Sequence, residues 1–245
     1  MKLKRKHYVL TGIVLIPLAI WLIFFSLPLT YSAKPIAGQV VDAETGKPLE
    51  GAIVIALWEL ERGFGLEGSI IAGRMEVTEV LTDAKGYYSI PGWGPKWRPK
   101  GTHLGHNAPL LVAFKDGYDF FAEGNSYESI FKDTRRRWAQ ESTWNMETIK
   151  LKKFKGNLRE YYSRLMSLSD DLTSVLDYFM GAKDCDWQTI PQTILMFDRY
   201  YKRLKVEIPA NFYLIPSVDN LVARKICGTK EEFIRRYDNE KNTHM

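Results

Sequence analysis

Histidine, the side chain best suited to acid–base or metal chemistry near neutral pH, is scarce in this sequence. Four occur, and two of them, His7 and His244, lie close to the ends of the chain. The other two, His103 and His106, stand three residues apart in the stretch HLGH. A metal site needs at least a third protein ligand, and none is identifiable here. We therefore treat His103 and His106 as weak metal candidates in a solvated loop, and we predict no cofactor.

A glycine pattern at residues 63–68, GFGLEG, has the spacing of a nucleotide-binding loop. In such a loop the backbone amides approach a phosphate and a helix follows. Here the chain continues as SIIAGRMEV, which is typical of a strand. The sequence also lacks the catalytic motifs of a kinase and a nucleophile elbow. We predict a flexible loop between two strands and no catalytic residue.

The strongest binding candidate is the stretch GWGPKWRPKGTHLGH, residues 92–106. Aromatic faces can stack on sugars or bases, and cations can hold carboxylates or phosphates. The glycines and prolines of this stretch predict a projecting loop. The alternative is that its tryptophans cover the end of the folded core. The candidate residues are Trp93, Lys96, Trp97, Arg98 and Lys100, and the expected partner is a protein or a glycan.

The formal net charge of +5 does not indicate a nucleic-acid partner. Four basic residues and no acidic residue lie within residues 1–33, so the rest of the chain carries a net charge of only +1. A nucleic-acid-binding domain would concentrate its basic residues on the folded part. The composition, 45% hydrophobic and 26% charged, is that of a globular protein with a core.

The N-terminal segment predicts a membrane anchor. Residues 8–33 contain no charged side chain, and this run is longer than the roughly 20 residues that a helix needs to cross a bilayer. The basic stretch MKLKRKH in front of it places the N-terminus in the cytoplasm. Cleavage after Ser32 or Ala33 is the alternative, but both sites are poor. We predict an uncleaved anchor over residues 1–33 of a single-pass protein of the bacterial inner membrane, with the bulk of the chain in the periplasm.

Two cysteines, Cys185 and Cys227, form a disulfide candidate. Outside the cytoplasm such a pair is readily oxidised, and the bond would contribute about 4 kcal/mol in the chain-entropy model. Two buried free thiols are the alternative, because the sequence does not give the distance between the two residues.

Short β-rich runs separated by turn residues follow the anchor. Strands are predicted at residues 36–42, 52–60, 75–83, 87–91, 110–114 and 148–152. The second run is apolar on both of its alternating faces, which indicates a central strand covered on both sides. The turns AETGKP and DAKG predict two hairpins. With no helical pattern between them, these runs favour an antiparallel β-sandwich.

Three stretches, GQVVDAETGKPLEGAIV, TDAKGYYSI and LLVAFKDGY, resemble in order and spacing the carboxypeptidase regulatory-like domain. The resemblance covers residues 36–154, apart from two insertions at residues 92–109 and 119–145. It implies a prealbumin-like (transthyretin-like) antiparallel sandwich. It also implies a module that accompanies many proteins and is not itself catalytic, which weakens an enzyme prediction.

After residue 154 the apolar period changes from that of a strand to that of a helix. Residues 155–245 predict a helical hairpin, with a break near residues 181–186, followed by a short final helix that begins with a capping box at Thr229 and Glu232. Asp186 or Thr189 is the expected cap of the second helix. The apolar stripes are expected to pack on each other and on the sandwich; oligomerisation or the binding of a partner helix is the alternative. The stripes are Leu158, Tyr161, Leu165, Leu168, Leu172, Val175 and Phe179, then Trp187, Ile190, Ile194, Phe197, Tyr201 and Leu204.

These features favour a non-catalytic, membrane-anchored, extracytoplasmic protein with a binding or envelope-assembly role. A hydrolase that acts through paired carboxylates is the first alternative, because carboxylates are the acid–base groups that remain once histidine is set aside. A structural spacer without a ligand is the second. Two carboxylates facing one cleft would favour the hydrolase, whereas exposed tryptophans would favour the binding protein.

Overall fold

The computed structural model describes residues 30–63, 68–105, 107–125, 141–176, 185–208, 215–223 and 227–243. The strands in this part of the chain are β1 (Thr30–Ala33), β2 (Ile36–Asp42), β3 (Ile53–Arg62), β4 (Ile70–Leu81), β5 (Tyr87–Ile90), β6 (Trp93–Trp97), β7 (His103–Leu104), β8 (Leu110–Phe114), β9 (Phe121–Glu123) and β10 (Thr148–Leu151). The helices are α1 (Leu158–Asp171), α2 (Thr173–Leu176), a 3₁₀ helix (Asp186–Thr189), α3 (Pro191–Glu207), α4 (Val218–Val222) and α5 (Lys230–Thr243). The prediction of a mainly β protein with helices after the strands is confirmed.

Two sheets and a ribbon contain all these strands. One sheet has the order β10-β2-β5, and the other has the order β4-β3-β8-β9, with β7 also paired to β3. The ribbon joins β1 to β6. Strands β2 and β8 have the predicted bounds, and the other four predicted strands are present with shifted ends.

Both predicted hairpins are wrong, because the chain changes sheet at each turn. Strand β2 pairs with β5, and β3 pairs with β4, so the turn after Asp42 leads from one sheet to the other. Within this turn, all of which the structure describes, the only antiparallel pairing that is formed is an isolated bridge between Val41 and Pro48. The second turn likewise carries the chain from β4 to β5 in the opposite sheet. At this turn the Asp83 carboxylate accepts hydrogen bonds from the backbone N–H groups of Lys85 and Tyr87.

One pair of strands departs from the predicted antiparallel arrangement. Strand β10 runs parallel to β2, with Ile149 opposite Val40 and Leu151 opposite Asp42. A parallel pair requires a long connection between its strands. More than a hundred residues, including the opposite sheet, separate β2 from β10, and such a distant pairing leaves no local signal in the sequence.

The N-terminal anchor prediction needs a correction at its end. Residues Thr30–Ala33, which the prediction placed in the membrane segment, form strand β1 and pair with β6. Tyr31 and Ala33 are buried in the core of the sandwich. Residues 1–29 lie outside the described part of the chain. Within the described ranges, no helix is long and apolar enough to cross a membrane.

Strand β3 is covered on both faces, as its sequence predicts. Val54, Ala56 and Trp58 point into the core between the two sheets. Ile53, Ile55 and Leu57 point the other way, into a second core that the helices close. The molecule therefore has three layers, sheet on sheet on helices, and β3 lies in the middle layer.

The apolar helical stripes pack on the outer face of the larger sheet. Tyr161, Leu165 and Leu168 of α1 share one core with Ile194 and Phe197 of α3. The capping box at the start of α5 is confirmed: Thr229 N–H donates to the Glu232 carboxylate, and Glu232 N–H donates to the Thr229 hydroxyl. Phe179, the last member of the first stripe, lies outside the described residues.

The predicted cap of α3 is wrong. Ile190 occupies the N-cap position, and its side chain cannot accept a hydrogen bond. Instead, the Glu79 carboxylate of β4 accepts from Gln192 N–H at 2.7 Å and from Thr193 N–H at 2.9 Å. The Thr193 hydroxyl donates to the same carboxylate at 2.6 Å. Because a sheet residue satisfies the free amides of this helix, the cap also docks α3 onto β4.

Candidate functional site

The tryptophan-rich stretch does not form the predicted loop. Residues Trp93–Trp97 form edge strand β6, with Thr30 opposite Trp97 and Ala33 opposite Trp93. The prediction failed because it assigned the partner strand to the membrane segment, which left β6 without a visible neighbour. Pro95 is compatible with this position, since proline is tolerated in an edge strand.

The five candidate binding residues separate into structural and exposed groups. Trp93 is half-buried and meets Trp58 edge to face, with ring centroids 5.5 Å apart. Lys96 forms an ion pair with Glu76 and lies 5.7 Å from the centroid of the Trp93 ring. Trp97, by contrast, is 75% exposed. These residues therefore do not form one pocket; Trp93 belongs to the core and Trp97 to the surface.

The two remaining candidates follow β6. A guanidinium N–H of Arg98 donates to the backbone carbonyl of Thr102, so this side chain closes its own turn. Lys100 is exposed in the same turn. The stretch as a whole thus presents cations at the surface rather than around a cavity.

His103 is not in a solvated loop. It lies in β7, is 5% exposed, and has its Nε2 atom 3.5 Å from a carboxylate oxygen of Glu61. The Ser69 hydroxyl donates to the same oxygen at 2.6 Å. Here the carboxylate contacts both partners, whereas in a catalytic triad the histidine would lie between the serine and the acid. His106 lies outside the described residues, and within them no cluster of three or more potential metal ligands occurs.

Carboxylates with raised pKa values occur in β3, at Glu59, and at the end of α1, at Asp171. Burial raises the pKa of Glu59, and the charges of Glu61 and Asp171 add to this effect. Burial and the neighbouring Asp170 raise the pKa of Asp171. Neither Glu59 nor Asp171 lines either of the two clefts described next.

A cleft of about 690 Å³ opens where the end of β10 meets the start of α1. Its wall carries four cations and three acids over an apolar base at Phe154. Two of the cations are paired with acids of the cleft: Lys155 with Glu44 at 2.6 Å and Arg164 with Asp119 at 3.5 Å. The lining residues are Ala43, Glu44, Asp119, Lys152, Lys153, Phe154, Lys155, Gly156, Glu160 and Arg164.

The third acid of the cleft is also engaged. Glu160 and Asn157 form a capping box, in which Asn157 N–H donates to the Glu160 carboxylate at 2.9 Å and Glu160 N–H donates to the Asn157 side chain at 3.0 Å. Of the two remaining cations, Lys153 is 3.9 Å from Asp42. Lys152 has no ion pair within the described residues and is exposed. Positive charge is therefore what this cleft has left to offer a ligand.

The turn behind the cleft is held rigid by Asp42. One of its carboxylate oxygens accepts from Thr45 N–H at 2.8 Å and from Glu44 N–H at 2.9 Å, and the other accepts from the Tyr118 hydroxyl at 2.9 Å. These hydrogen bonds, with that of Thr45 N–H the strongest contribution, lower the pKa of Asp42 to about 2. The carboxylate is thus ionised at physiological pH and keeps Glu44 in place at the rim.

A smaller cavity of about 150 Å³ adjoins the cleft and shares Phe154 and Gly156 with it. Aromatic rings line it: Phe154 and Tyr161 have centroids 4.8 Å apart, and Tyr161 and Tyr200 have centroids 4.9 Å apart. The Tyr200 hydroxyl donates to Asp116, and burial raises the pKa of Tyr200. A ligand with an apolar portion next to an anionic one would fit the two cavities together.

Sequence reasoning missed the cleft, although a signal was present. The stretch TIKLKKFK, residues 148–155, has four lysines within six positions. A strand was predicted at residues 148–152, but the acidic turn and the helix that complete the cleft come from other parts of the chain. No sequence pattern pointed to Glu79 as a partner of α3.

Cys185 and Cys227 are joined as a disulfide, with their Cα atoms 5.3 Å apart. The bond connects the residue before the 3₁₀ helix to the segment before α5. Beside it, the Gln188 side chain donates to the backbone carbonyl of Cys227 at 2.6 Å. The alternative of two free thiols does not apply to this structure.

No protein-family model matches the chain, and no curated protein matches it. Among solved structures, the 3-chlorocatechol 1,2-dioxygenase of Rhodococcus opacus 1CP is 15% identical, with 50% of this chain and 60% of that chain covered and a TM-score of 0.28. A streptococcal ancillary pilin is 12% identical, with 51% of this chain and 31% of that chain covered and a TM-score of 0.22. The Pseudomonas putida chlorocatechol 1,2-dioxygenase is 17% identical, with a TM-score of 0.27.

These similarities assign neither a fold family nor an activity. The chain spans less than two thirds of the length of each of these structures. The carboxypeptidase regulatory-like resemblance stays a prediction.

Proposed function

We propose that this protein is a non-catalytic binding module, anchored in a bacterial inner membrane by its N-terminal segment and held on the periplasmic side. Its scaffold is a sandwich of the carboxypeptidase regulatory-like type. The disulfide between Cys185 and Cys227 is the observation that carries the location. Such bonds persist in oxidising compartments and are rare in the cytosol.

The start of the sandwich supports the anchor. The residues before β1, 8–29, contain no charged side chain. A helix of about 20 such residues crosses the hydrocarbon of a bilayer. Strand β1 begins at the next residue and is built into the fold by its pairing with β6. With no linker between them, the sandwich would lie directly on the membrane surface.

Thiol labelling in cells tests this proposal. The full chain is expressed in bacteria, then denatured and alkylated without reductant. We expect neither cysteine to react until reductant is added, and we expect the protein to stay in alkali-washed membranes. The Cys185→Ser variant should expose one reactive thiol, Cys227, which is the labelling control.

Two outcomes would contradict the proposal. One is the labelling of both thiols in the wild-type protein without reductant, which would place the chain in a reducing compartment. The other is a soluble protein whose mass corresponds to a start at Ala33 or Lys34, because this would show that the anchor is removed.

The ligand site that we propose is the cleft between β10 and α1. Its acids are engaged by Lys155, by Arg164 and by the capping box, while Lys152 has no partner there. A ligand with a negative charge would complete this pattern, and Phe154 would contact its apolar portion. The same engagement of the acids argues against hydrolysis by paired carboxylates within this cleft, because such chemistry needs two carboxylates free to transfer protons.

Charge reversal tests the cleft. At low ionic strength the Lys152→Glu variant should bind immobilised dextran sulfate several-fold more weakly than the wild type, because it removes the unpaired cation. The Lys150→Glu variant carries the same charge change two residues earlier, within β10 and outside the cleft, and its binding should fall much less. Equal losses in the two variants would show only general charge attraction and would remove the cleft as the site.

A further inference from the structure

Trp97 lies beside the point where the chain enters the domain. Its Cα register partner in the β1–β6 ribbon is Thr30, which directly follows the uncharged residues 8–29 of the predicted anchor. The indole is 75% exposed. An exposed tryptophan leaves a large apolar surface in water, and such surfaces often mark contact sites. Its position next to the anchor suggests which surface it contacts.

Cations accompany this tryptophan, and acidic residues are absent from its own segment. Lys96, Arg98 and Lys100 flank it, and residues 84–115 contain no aspartate or glutamate. Glu76, on β4 of the larger sheet, pairs with Lys96. Arg98 and Lys100 have no ion pair within the described residues. The tip of the ribbon is therefore aromatic and positively charged.

Trp93 shows that this exposure is not a general property of the strand. It lies four residues earlier on β6, yet it packs on Trp58 in the core. On the same strand, one tryptophan thus packs against the sandwich, whereas Trp97 is exposed beside Thr30.

We propose that Trp97, with Arg98 and Lys100, seats on the anionic phospholipid headgroups of the bilayer that holds the N-terminal segment. Tryptophan favours the headgroup level of a membrane, where its apolar ring and its N–H group are both accommodated. Lysine and arginine next to a bilayer are attracted by anionic lipids. This inference rests on the proposed anchor, which brings the ribbon to the membrane, and it adds a second contact that fixes the orientation of the sandwich.

Quenching of tryptophan fluorescence by brominated lipid tests this contact. The full chain is reconstituted into vesicles of phosphatidylcholine with 30% phosphatidylglycerol, with and without brominated phosphatidylcholine. Every protein carries Trp21→Phe, so that the predicted anchor contributes no indole signal. We expect quenching in this background and at least a twofold loss of it on adding Trp97→Phe. Adding Trp144→Phe instead should leave the quenching unchanged, because the Trp144 indole is half-buried and donates a hydrogen bond to the Gly124 carbonyl.

The cations give a second arm. In the Trp21→Phe background, the Arg98→Gln and Lys100→Gln double variant should be quenched less than its parent in vesicles that contain phosphatidylglycerol. In vesicles of phosphatidylcholine alone, the double variant and its parent should be quenched equally. Quenching that is insensitive to both lipid charge and these substitutions would overturn the role of the anionic headgroups.

Flotation of the same vesicles separates this inference from the proposed function. If the protein floats with the vesicles but Trp97→Phe does not change the quenching, the headgroup contact is wrong and the anchor stands. If the protein does not float, the proposed anchor fails and the headgroup contact fails with it. If Trp97 is protected from both brominated lipid and acrylamide, it contacts protein instead, which also overturns the proposal.

Discussion

At the scale of single residues, Glu79 both connects the sheet to a helix and has a strongly raised pKa. Its carboxylate lies between β4 and α3, and it accepts three hydrogen bonds from the first turn of the helix. Burial raises its pKa from 4.5 to about 7, and these three hydrogen bonds oppose the increase. The charged form is therefore costly to bury even though it is well bonded.

This pKa gives a definite pH dependence of stability. A carboxyl group whose pKa is raised by folding binds more protons in the folded state than in the unfolded state between pH 4.5 and about 7. Its contribution to stability is thus fully present below pH 4.5 and is lost as the pH rises through 7. The loss is on the order of 3 kcal/mol.

The Glu79→Gln variant should remove this dependence, since glutamine resembles the protonated acid and does not ionise. We expect the wild type to become less stable relative to the variant between pH 4.5 and 8, as measured by urea unfolding. Glu76→Gln, on the same strand but paired with Lys96, should not reproduce the effect. A wild type that gains stability relative to Glu79→Gln over this range would show that the hydrogen bonds outweigh burial.

At the scale of the elements, the helices act as the outer layer of the sandwich. The outward face of the larger sheet buries Ile55, Leu57 and Phe114 against α1, α2 and α3. On β4, at the edge of the larger sheet, the Arg74 guanidinium donates to the Ser174 carbonyl at 2.8 Å and pairs with Asp186. The change of period at residue 154 therefore marks a change of element within one continuous core.

A truncated chain tests whether the sandwich needs this layer. Residues 30–155 alone would expose the apolar face of the larger sheet, so we expect aggregation or a loss of cooperative thermal unfolding. A chain ending at Thr229 removes only α5, whose Phe233 covers one side of Trp187, and it should still fold with lower stability. A soluble 30–155 fragment that unfolds cooperatively would show that the sheets are sufficient.

At the scale of the whole molecule, the two proposed contact surfaces are formed by different elements. The β1–β6 ribbon lies where the chain leaves residues 1–29, and the cleft lies where β10 meets α1. The disulfide belongs to neither; it secures the helical layer by joining residues 42 positions apart. This arrangement suits a module in which one surface faces the membrane and another meets a ligand.

The sequence by itself determined most of the local structure. The β-rich runs between turn residues placed six of the ten described strands, the 3.6-residue period placed α1 and α3, and the Thr229 capping box began α5, because each of these signals depends on neighbouring residues. The double coverage of β3 was visible for the same reason. The position of Trp97 in strand β6 was not visible, because the partner of that strand, Thr30–Ala33, had been assigned to the membrane segment.

Only the tertiary structure decided which elements meet. In the tertiary structure β10 pairs with β2 in parallel, and Thr30–Ala33 is the partner strand of β6. The two strands that flank each predicted hairpin turn belong to opposite sheets. The tertiary structure also brought Glu79 to α3 and Lys152 to the acidic turn at Glu44. Strand partners and contacts of this kind join residues far apart in the chain, so the pattern of neighbouring side chains cannot specify them; they are selected by how apolar faces are buried and buried polar groups are satisfied together.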